Sequence, residues 1–218
     1  MINSKKQNRF IPGLRYSCLT PFYDSITKLV MPEITMKQSL VEQANIQKGY
    51  RILDIGCGTA TLTMLIKRSQ PESVVFGLDG DLQILKKARD KIFRAELDIG
   101  LVKGLSTDLP FADNFFDRVF CSLILHHLTQ ENKTKTLKEA SRILYHFGEL
   151  HILDFAEPTN PVMAMISLYM RHSERTYELI KGFLPKMLNG AGFIDIKKTR
   201  SFSTILGTIS LFSAKKPR

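Results

Sequence analysis

Along this chain, apolar residues come in short unbroken runs separated by longer amphipathic stretches. Arg51-Ile-Leu-Asp-Ile-Gly is an apolar run closed by glycine, and its continuity predicts a strand buried on both faces. Residues 61–69 then place Leu62, Leu65 and Ile66 at helical intervals and stop before Pro71. Val74-Val-Phe-Gly-Leu-Asp predicts a second buried strand, after which Asp81 is placed to cap a helix running to Arg94. A third strand falls over 98–103, and Asp117-Arg-Val-Phe-Cys-Ser-Leu is a fourth. A helix over about 130–145 follows, with Gly148 as its closing residue and Gly148-Glu-Leu-His-Ile-Leu-Asp-Phe as the fifth strand.

This βα alternation predicts an α/β fold with a parallel sheet, covered on both faces by right-handed crossovers. The pattern changes after Pro158 and Pro161. A Met-rich stretch (Met163, Met165, Met170) leads into a helix over 175–189, followed by alternating runs over 193–201 and 203–214. With no helix between them, these runs predict an antiparallel hairpin at the sheet edge. Ahead of the first strand, residues 21–47 read as helical and pack outside the repeating unit. The division is therefore an N-terminal helical cap over 1–49 and an α/β domain over 50–218.

At 218 residues and 44% hydrophobic content, one domain of this kind buries roughly 70% of its unfolded surface, with no metal or disulfide framework needed. Cys18, Cys57 and Cys121 lack CxxC spacing, which argues against a structural zinc site and fits a reducing compartment. The apolar run from Val162 to Met170 falls well short of the roughly 18 residues of a membrane span. The N-terminus has no apolar signal core, and the expected location is the cytoplasm. The net charge of +10 is unevenly held: residues 1–51 carry eight basic and three acidic side chains, residues 195–218 carry six and one, and 52–194 carry 17 of each. A neutral centre between basic ends gives no case for a polyanionic substrate in the core. It suits docking on an anionic membrane surface.

Ligands of open parallel sheets bind beyond the carboxyl ends of the strands. After the first strand stands Asp54-Ile-Gly56-Cys57-Gly58-Thr-Ala, where two glycines permit a tight turn and let a ligand lie on bare backbone. The second strand ends in Asp79, whose carboxylate can accept both hydroxyls of a ribose. Two ligands suit this arrangement: a dinucleotide, or an adenosyl compound without pyrophosphate. Thr61 stands where the dinucleotide fingerprint wants Gly or Ala, and Asp54 would repel a pyrophosphate yet receive a cationic amino group. S-adenosylmethionine is favoured. Cys57 reads as a small filler of the turn, with no acceptor beside it for a nucleophile.

Ile52-Leu-Asp-Ile-Gly-Cys-Gly-Thr-Ala, Gly77-Leu-Asp79-Gly80-Asp81, Asp108-Leu-Pro-Phe-Ala-Asp-Asn-Phe-Phe-Asp-Arg-Val and Leu125-His-His-Leu resemble, in order, the motifs of class I S-adenosylmethionine-dependent methyltransferases. The nearest flavour is the ubiquinone/menaquinone methyltransferase-like group. The resemblance covers 50–155 and implies a Rossmann-like seven-stranded sheet of order 3-2-1-4-5-7-6, with N-terminal helices and a helical lid over 158–190 after the fifth strand. It implies that Asp54, Gly56 and Gly58 hold the methionine end of the cofactor and that Asp79 takes the ribose. Ser122 and Leu123 then line the methionine end. The adenine pocket departs from the pattern: Leu105 stands where relatives carry an acid, which leaves backbone groups of Leu105 and Ser106, and Gly80 replaces a bulky cover.

Methyl transfer from a sulfonium needs alignment and dryness more than a catalytic group, and a base only where the acceptor must lose a proton. His127, His126 and Tyr169 are the candidate bases. Tyr23, His127, Tyr169 and His172 are candidates for closing over a small or lipid-like acceptor. The paired histidines lack a third ligand at helical spacing, so no metal is expected. Two other readings are a fold that binds the cofactor without turnover and a nucleic-acid methyltransferase. Ser122-Leu-Ile-Leu, standing where amino-group base methylators carry Asn/Asp-Pro-Pro-aromatic, counts against the latter.

Overall fold

A computed structural model describes residues 33–170 and 174–218. Helix α1 (Glu33–Gln43) precedes β1 (Arg51–Ile55), α2 (Thr61–Ser69), β2 (Val74–Asp79), α3 (Leu82–Arg94) and β3 (Gly100–Lys103). Strand β4 (Phe116–Ser122), a 3-10 turn (Leu125–His127), α4 (Gln130–Ile143) and β5 (Leu144–Phe155) follow. Helices α5 (Pro161–Met170), α6 (Glu174–Ile180) and α7 (Leu184–Gly190) lead to β6 (Ile194–Thr204) and β7 (Gly207–Lys215).

The seven strands form one sheet of order β3-β2-β1-β4-β5-β7-β6. The first five are parallel, and β7 runs antiparallel to both β5 and β6, as the alternating terminal runs predict. Strand order reverses between β1 and β4. Right-handed crossovers therefore send α2 and α3 to one face and α4 to the other. The centre is continuous hydrocarbon, with Ile52, Leu53, Ile55, Val119, Phe120, Ile152 and Leu153 essentially out of solvent. Asp81 caps α3 as expected, accepting from the N–H groups of Gln83 at 2.8 Å and Ile84 at 3.3 Å.

Three details differ from the sequence pattern. Helix α4 stops at Ile143, and Gly148 lies inside β5. Leu144 pairs with Phe116, the register then shifts, and Glu149 pairs with Arg118. The left-handed residue of this kink is Phe147. At Gly148 a Cβ would stand 3.0 Å from the Tyr145 carbonyl oxygen and 3.1 Å from that of Asp117, so close approach of backbones, and not a helix cap, requires glycine here. The helix expected over 175–189 is two helices, parted at Gly182 (φ +75°) and restarted with Pro185 in its first turn. Finally, the Met-rich stretch does not share one face: Met163 is buried, whereas Met165 is 68% exposed.

The basic carboxyl-terminal segment is not a tail. Lys197 and Lys198 lie on β6, the outer strand. Lys216 donates to the carbonyls of Leu144 at 2.8 Å and Arg142 at 3.3 Å and to Asn114 Oδ1 at 2.8 Å, stitching the chain end onto the start of β5. On the other flank, Gln43 of α1 donates through Nε2 to the Phe212 carbonyl and meets His151 Nδ1, both at 3.1 Å. The helix ahead of β1 is thereby tied to β5 and β7.

At the start of β4, fully buried Phe116 meets Phe111, Phe115 and Phe76 edge-on, with ring centroids 4.9, 5.0 and 6.0 Å away. Phe116→Ala is expected to cost about 3–5 kcal/mol in urea denaturation. Phe115→Ala, at the half-buried rim of the cluster, should cost clearly less.

Candidate cofactor site at the strand-order reversal

The turn after β1 is fastened to the end of β2. Gly56 and Cys57 both donate their backbone N–H to the Leu78 carbonyl, at 2.7 and 3.0 Å. Gly58 donates to Asp79 Oδ2 at 3.0 Å. Gly56 and Gly58 adopt φ of +70° and +54°, and Ala60 follows at +63°. A side chain at Gly56 would overlap Ile124, whereas at Gly58 a Cβ would meet nothing within 4 Å. The first glycine lets the turn close onto the segment after β4; the second leaves open space above bare backbone.

Two carboxylates flank that space. Asp54, at 1% exposure, accepts from Thr63 Oγ1 at 2.7 Å through Oδ2. Its Oδ1 is buried and has no hydrogen-bond partner among the described residues. Burial pushes the Asp54 carboxyl up to about 6, partly countered by the Thr63 hydroxyl. Asp79 accepts from Gly58 N–H and, through Oδ1, from Asp81 N–H at 2.9 Å. Burial raises its pKa too, against these backbone donors. At the end of β4, next to β1, Ser122 Oγ is likewise buried without a partner among the described residues. Leu123 follows in the left-handed region (φ 55°), held by its N–H to the Leu153 carbonyl at 2.7 Å.

The remaining sequence candidates separate. The Cys57 thiol packs against Gly77, and burial together with Asp54 and Asp79 drives its pKa far up, which suits an inert filler. Leu105 is 40% exposed in a turn closed by Asp108 N–H to its carbonyl at 3.2 Å. Ser106 is buried, and its hydroxyl accepts from Thr136 Oγ1 at 2.9 Å. Gly80 contributes an N–H toward the Asp79 carboxylate. His126 is half-buried with Nδ1 2.8 Å from Asp154 Oδ1, and His127 is exposed beside it. Tyr23, His172 and the side chain of Tyr169 lie outside the described residues.

Thr63 and Asp154 have no counterpart among the sequence candidates. The signal for Asp154 was available: it ends a buried apolar run, as Asp54 and Asp79 do. Among the described residues, no group of three His, Cys, Asp or Glu side chains could hold a metal ion.

The site asks for a ligand that donates hydrogen bonds on both sides of the glycine turn, since the orphaned Asp54 oxygen and the Asp79 carboxylate are both acceptors. A pyrophosphate would face two carboxylates. Fold and site together are those of a class I methyltransferase-type protein, with its reversed terminal hairpin. Residues 52–148 match the family model described as a methyltransferase domain. Over that stretch the chain is similar to the class I S-adenosylmethionine-dependent methyltransferases. It is 31% identical over 147 residues to a demethylmenaquinone methyltransferase of Listeria monocytogenes, covering 66% of this chain and 61% of the relative. It is 30% identical over 157 residues to the ubiquinone/menaquinone biosynthesis C-methyltransferase UbiE of Syntrophotalea carbinolica, covering 71% and 65%. The chain thus spans under two thirds of the length of either relative. The fold is shared with the YcgJ protein of Bacillus subtilis (TM-score 0.69, 14% identity, 84% of this chain and 99% of that one).

The raised Asp54 carboxyl has a consequence for stability. Its folded value of about 6 exceeds the ordinary 3.8, so between those pH values the folded state holds more proton than the unfolded one, and stability falls as pH rises. A gap of about two pH units corresponds to about 3 kcal/mol. In the ligand-free protein, the stability advantage of Asp54→Asn over wild type should grow by about 2–3 kcal/mol between pH 4 and pH 7, read by urea denaturation. A difference that stays flat with pH would mean the carboxylate is not desolvated.

Proposed function

We propose that this protein moves the methyl group of S-adenosylmethionine to a small, lipid-like acceptor of the quinol type. The acceptor would lie beneath α1 and the 158–190 lid. The observation that carries the reading is the buried, unpartnered Asp54 oxygen beside a glycine turn that leaves its backbone open. An ammonium group is the donor that best answers such an oxygen, because it removes the cost of an uncompensated buried carboxylate. The quinol class is supported by the names of the relatives above.

In this reading Asp54, with Gly56 and Gly58, receives the methionine end, and Cys57 fills the turn behind it. Asp79 keeps its backbone donors and offers its remaining lone pairs to the ribose hydroxyls. Gly80, Leu105 and Ser106 face the adenine through backbone and Leu105 hydrocarbon, since the Ser106 hydroxyl is engaged by Thr136. Ser122 and Leu123 border the reacting end. His127 borders the acceptor. Bound there, the cofactor supplies an electrophilic methyl carbon on a sulfonium. The chain's part is to align the acceptor in line with the departing sulfur and to keep water out.

No described helix is long and apolar enough to cross a membrane. The free thiols of Cys57 and Cys121 support a cytoplasmic protein, and the exposed Lys197 and Lys198 support peripheral contact with an anionic membrane carrying the acceptor. Co-sedimentation at low salt should then favour phosphatidylserine vesicles over phosphatidylcholine ones, and Lys197→Glu with Lys198→Glu should erase the preference. Equal sedimentation with both lipids would overturn the membrane contact.

Calorimetric titration with S-adenosylhomocysteine tests the site. Losing one charged hydrogen bond costs about 1.5–3 kcal/mol, so Asp54→Asn and Asp79→Ala should each weaken binding about 10–100-fold. Wild-type affinity should rise with pH through about 6, because binding next to an ammonium favours the ionised Asp54. Undiminished binding by the combined Asp79→Ala, Gly56→Val variant would refute the assignment.

A further inference from the structure

Methyl transfer as described above leaves Asp154 without a part, although it is the third acid to end a buried strand. Asp154 is wholly buried. Its Oδ2 accepts the Leu125 N–H at 2.9 Å, and its Oδ1 accepts the Phe155 N–H at 2.8 Å. The same Oδ1 stands 2.8 Å from His126 Nδ1. Each oxygen already receives a backbone N–H, so the group that meets His126 is an acceptor, and Nδ1 carries the hydrogen. The lone pair of the imidazole is then on Nε2, the nitrogen turned away from the carboxylate.

The ring is held as well as polarised. It stands edge-on to Phe155, with centroids 5.0 Å apart at 84°, and lies against His127 at 4.0 Å. Its turn belongs to the same site: Ser122 is four residues earlier, and Ile124 packs where a side chain at Gly56 would go. Other ionisable groups around the turn are His127 beside it and Cys121 on β4, whose thiol burial and Asp154 push well up. Helix α6 packs on the turn with Tyr177 and Glu178 as its described titratable groups, and Glu178 is engaged by Lys133 of α4 at 2.9 Å.

We propose that Asp154 and His126 form a carboxylate–imidazole pair that takes a proton from the methyl acceptor, with Asp154 as the positioning residue and His126 as the base. The acceptor is therefore a phenol- or enol-type hydroxyl compound, and not a tertiary amine or a thioether, which has no proton to give. This rests on the methyl-transfer reading above. His126 Nε2 receives the proton as the acceptor's O–H bond breaks, and the bonding pair stays on the acceptor. That pair, on oxygen or on a conjugated ring carbon, forms the new bond to the methyl carbon while the methyl–sulfur pair departs with sulfur. The Asp154 carboxylate stabilises the imidazolium until it releases its proton to water.

Two measurements test the pair. In 15N–1H correlation spectra of the histidine-labelled wild-type protein at pH 8, His126 should show Nδ1 protonated and Nε2 bare; the opposite tautomer overturns the proposal. In anaerobic assays with 1,4-naphthohydroquinone as the probe, His126→Gln should lower kcat about 100-fold or more, with KM and S-adenosylhomocysteine affinity within twofold of wild type. Asp154→Asn should lower kcat about 10–100-fold with affinity likewise retained, which also reports a folded site. A His126→Gln enzyme with wild-type kcat overturns the base. Naphthohydroquinone left unmethylated by a wild-type protein that binds S-adenosylhomocysteine overturns the acceptor class. Failure to bind S-adenosylhomocysteine overturns the methyl-transfer reading, and the tautomer alone then decides whether the pair exists.

Discussion

Three backbone donors hold this site together. The N–H groups of Gly56 and Cys57 converge on one carbonyl, that of Leu78, and the N–H of Gly58 reaches the Asp79 carboxylate next along the same strand. Parallel strands pair at a register fixed by their buried faces, and here Ile55 stands beside Leu78. A turn that leaves β1 at that register is delivered straight to the end of β2. The left-handed conformations at 56, 58 and 60 follow from the need to aim consecutive N–H groups at one neighbouring strand end. Ile124 then closes the turn from the β4 side.

With the turn clamped, three carboxylates at the ends of β1, β2 and β5 differ only in what surrounds them. Asp79 and Asp154 are met by backbone N–H groups from several residues, whereas Asp54 is met by Thr63 alone and keeps one oxygen unanswered. Burial acts on Asp54 and Asp79 alike and raises both, and the imbalance of donors sets Asp54 apart as the group that gains most from a cationic partner. The same acids silence their neighbours. Cys57 and Cys121 sit in apolar surroundings facing negative charge, conditions under which a thiolate does not form.

The outer elements are fastened by fewer and more polar contacts. Gln43 bridges α1 to Phe212 and His151, Arg200 donates to Ser39 at 2.9 Å, and Lys133 reaches Glu178 from α4 to α6. Helix α5 keeps Val162 and Met165 exposed at the ligand end of the β5–β7 side. An apolar surface there, beside helices joined by a glycine break, is the part of the molecule whose contacts with a ligand would add most burial.

Much of this was legible in residue order. Asp81 announced its helix because an acid ahead of an amphipathic run caps it wherever the run packs, and the βα alternation led to a parallel sheet covered on both faces because crossover handedness leaves few arrangements, while the seven-strand order came from the resemblance of the motifs. Gly148 was misread because a glycine required by a close carbonyl 31 residues away in sequence, that of Asp117, looks the same in sequence as one that ends a helix. Acids at strand ends are a local feature, and so the positions of Asp54, Asp79 and Asp154 were written in the sequence. Which of them keeps a free oxygen, which holds a histidine, and which nitrogen of that histidine is left bare were decided by tertiary structure alone. A hydrogen bond between residues 28 apart, such as His126 and Asp154, exists only once two strands and a turn have packed.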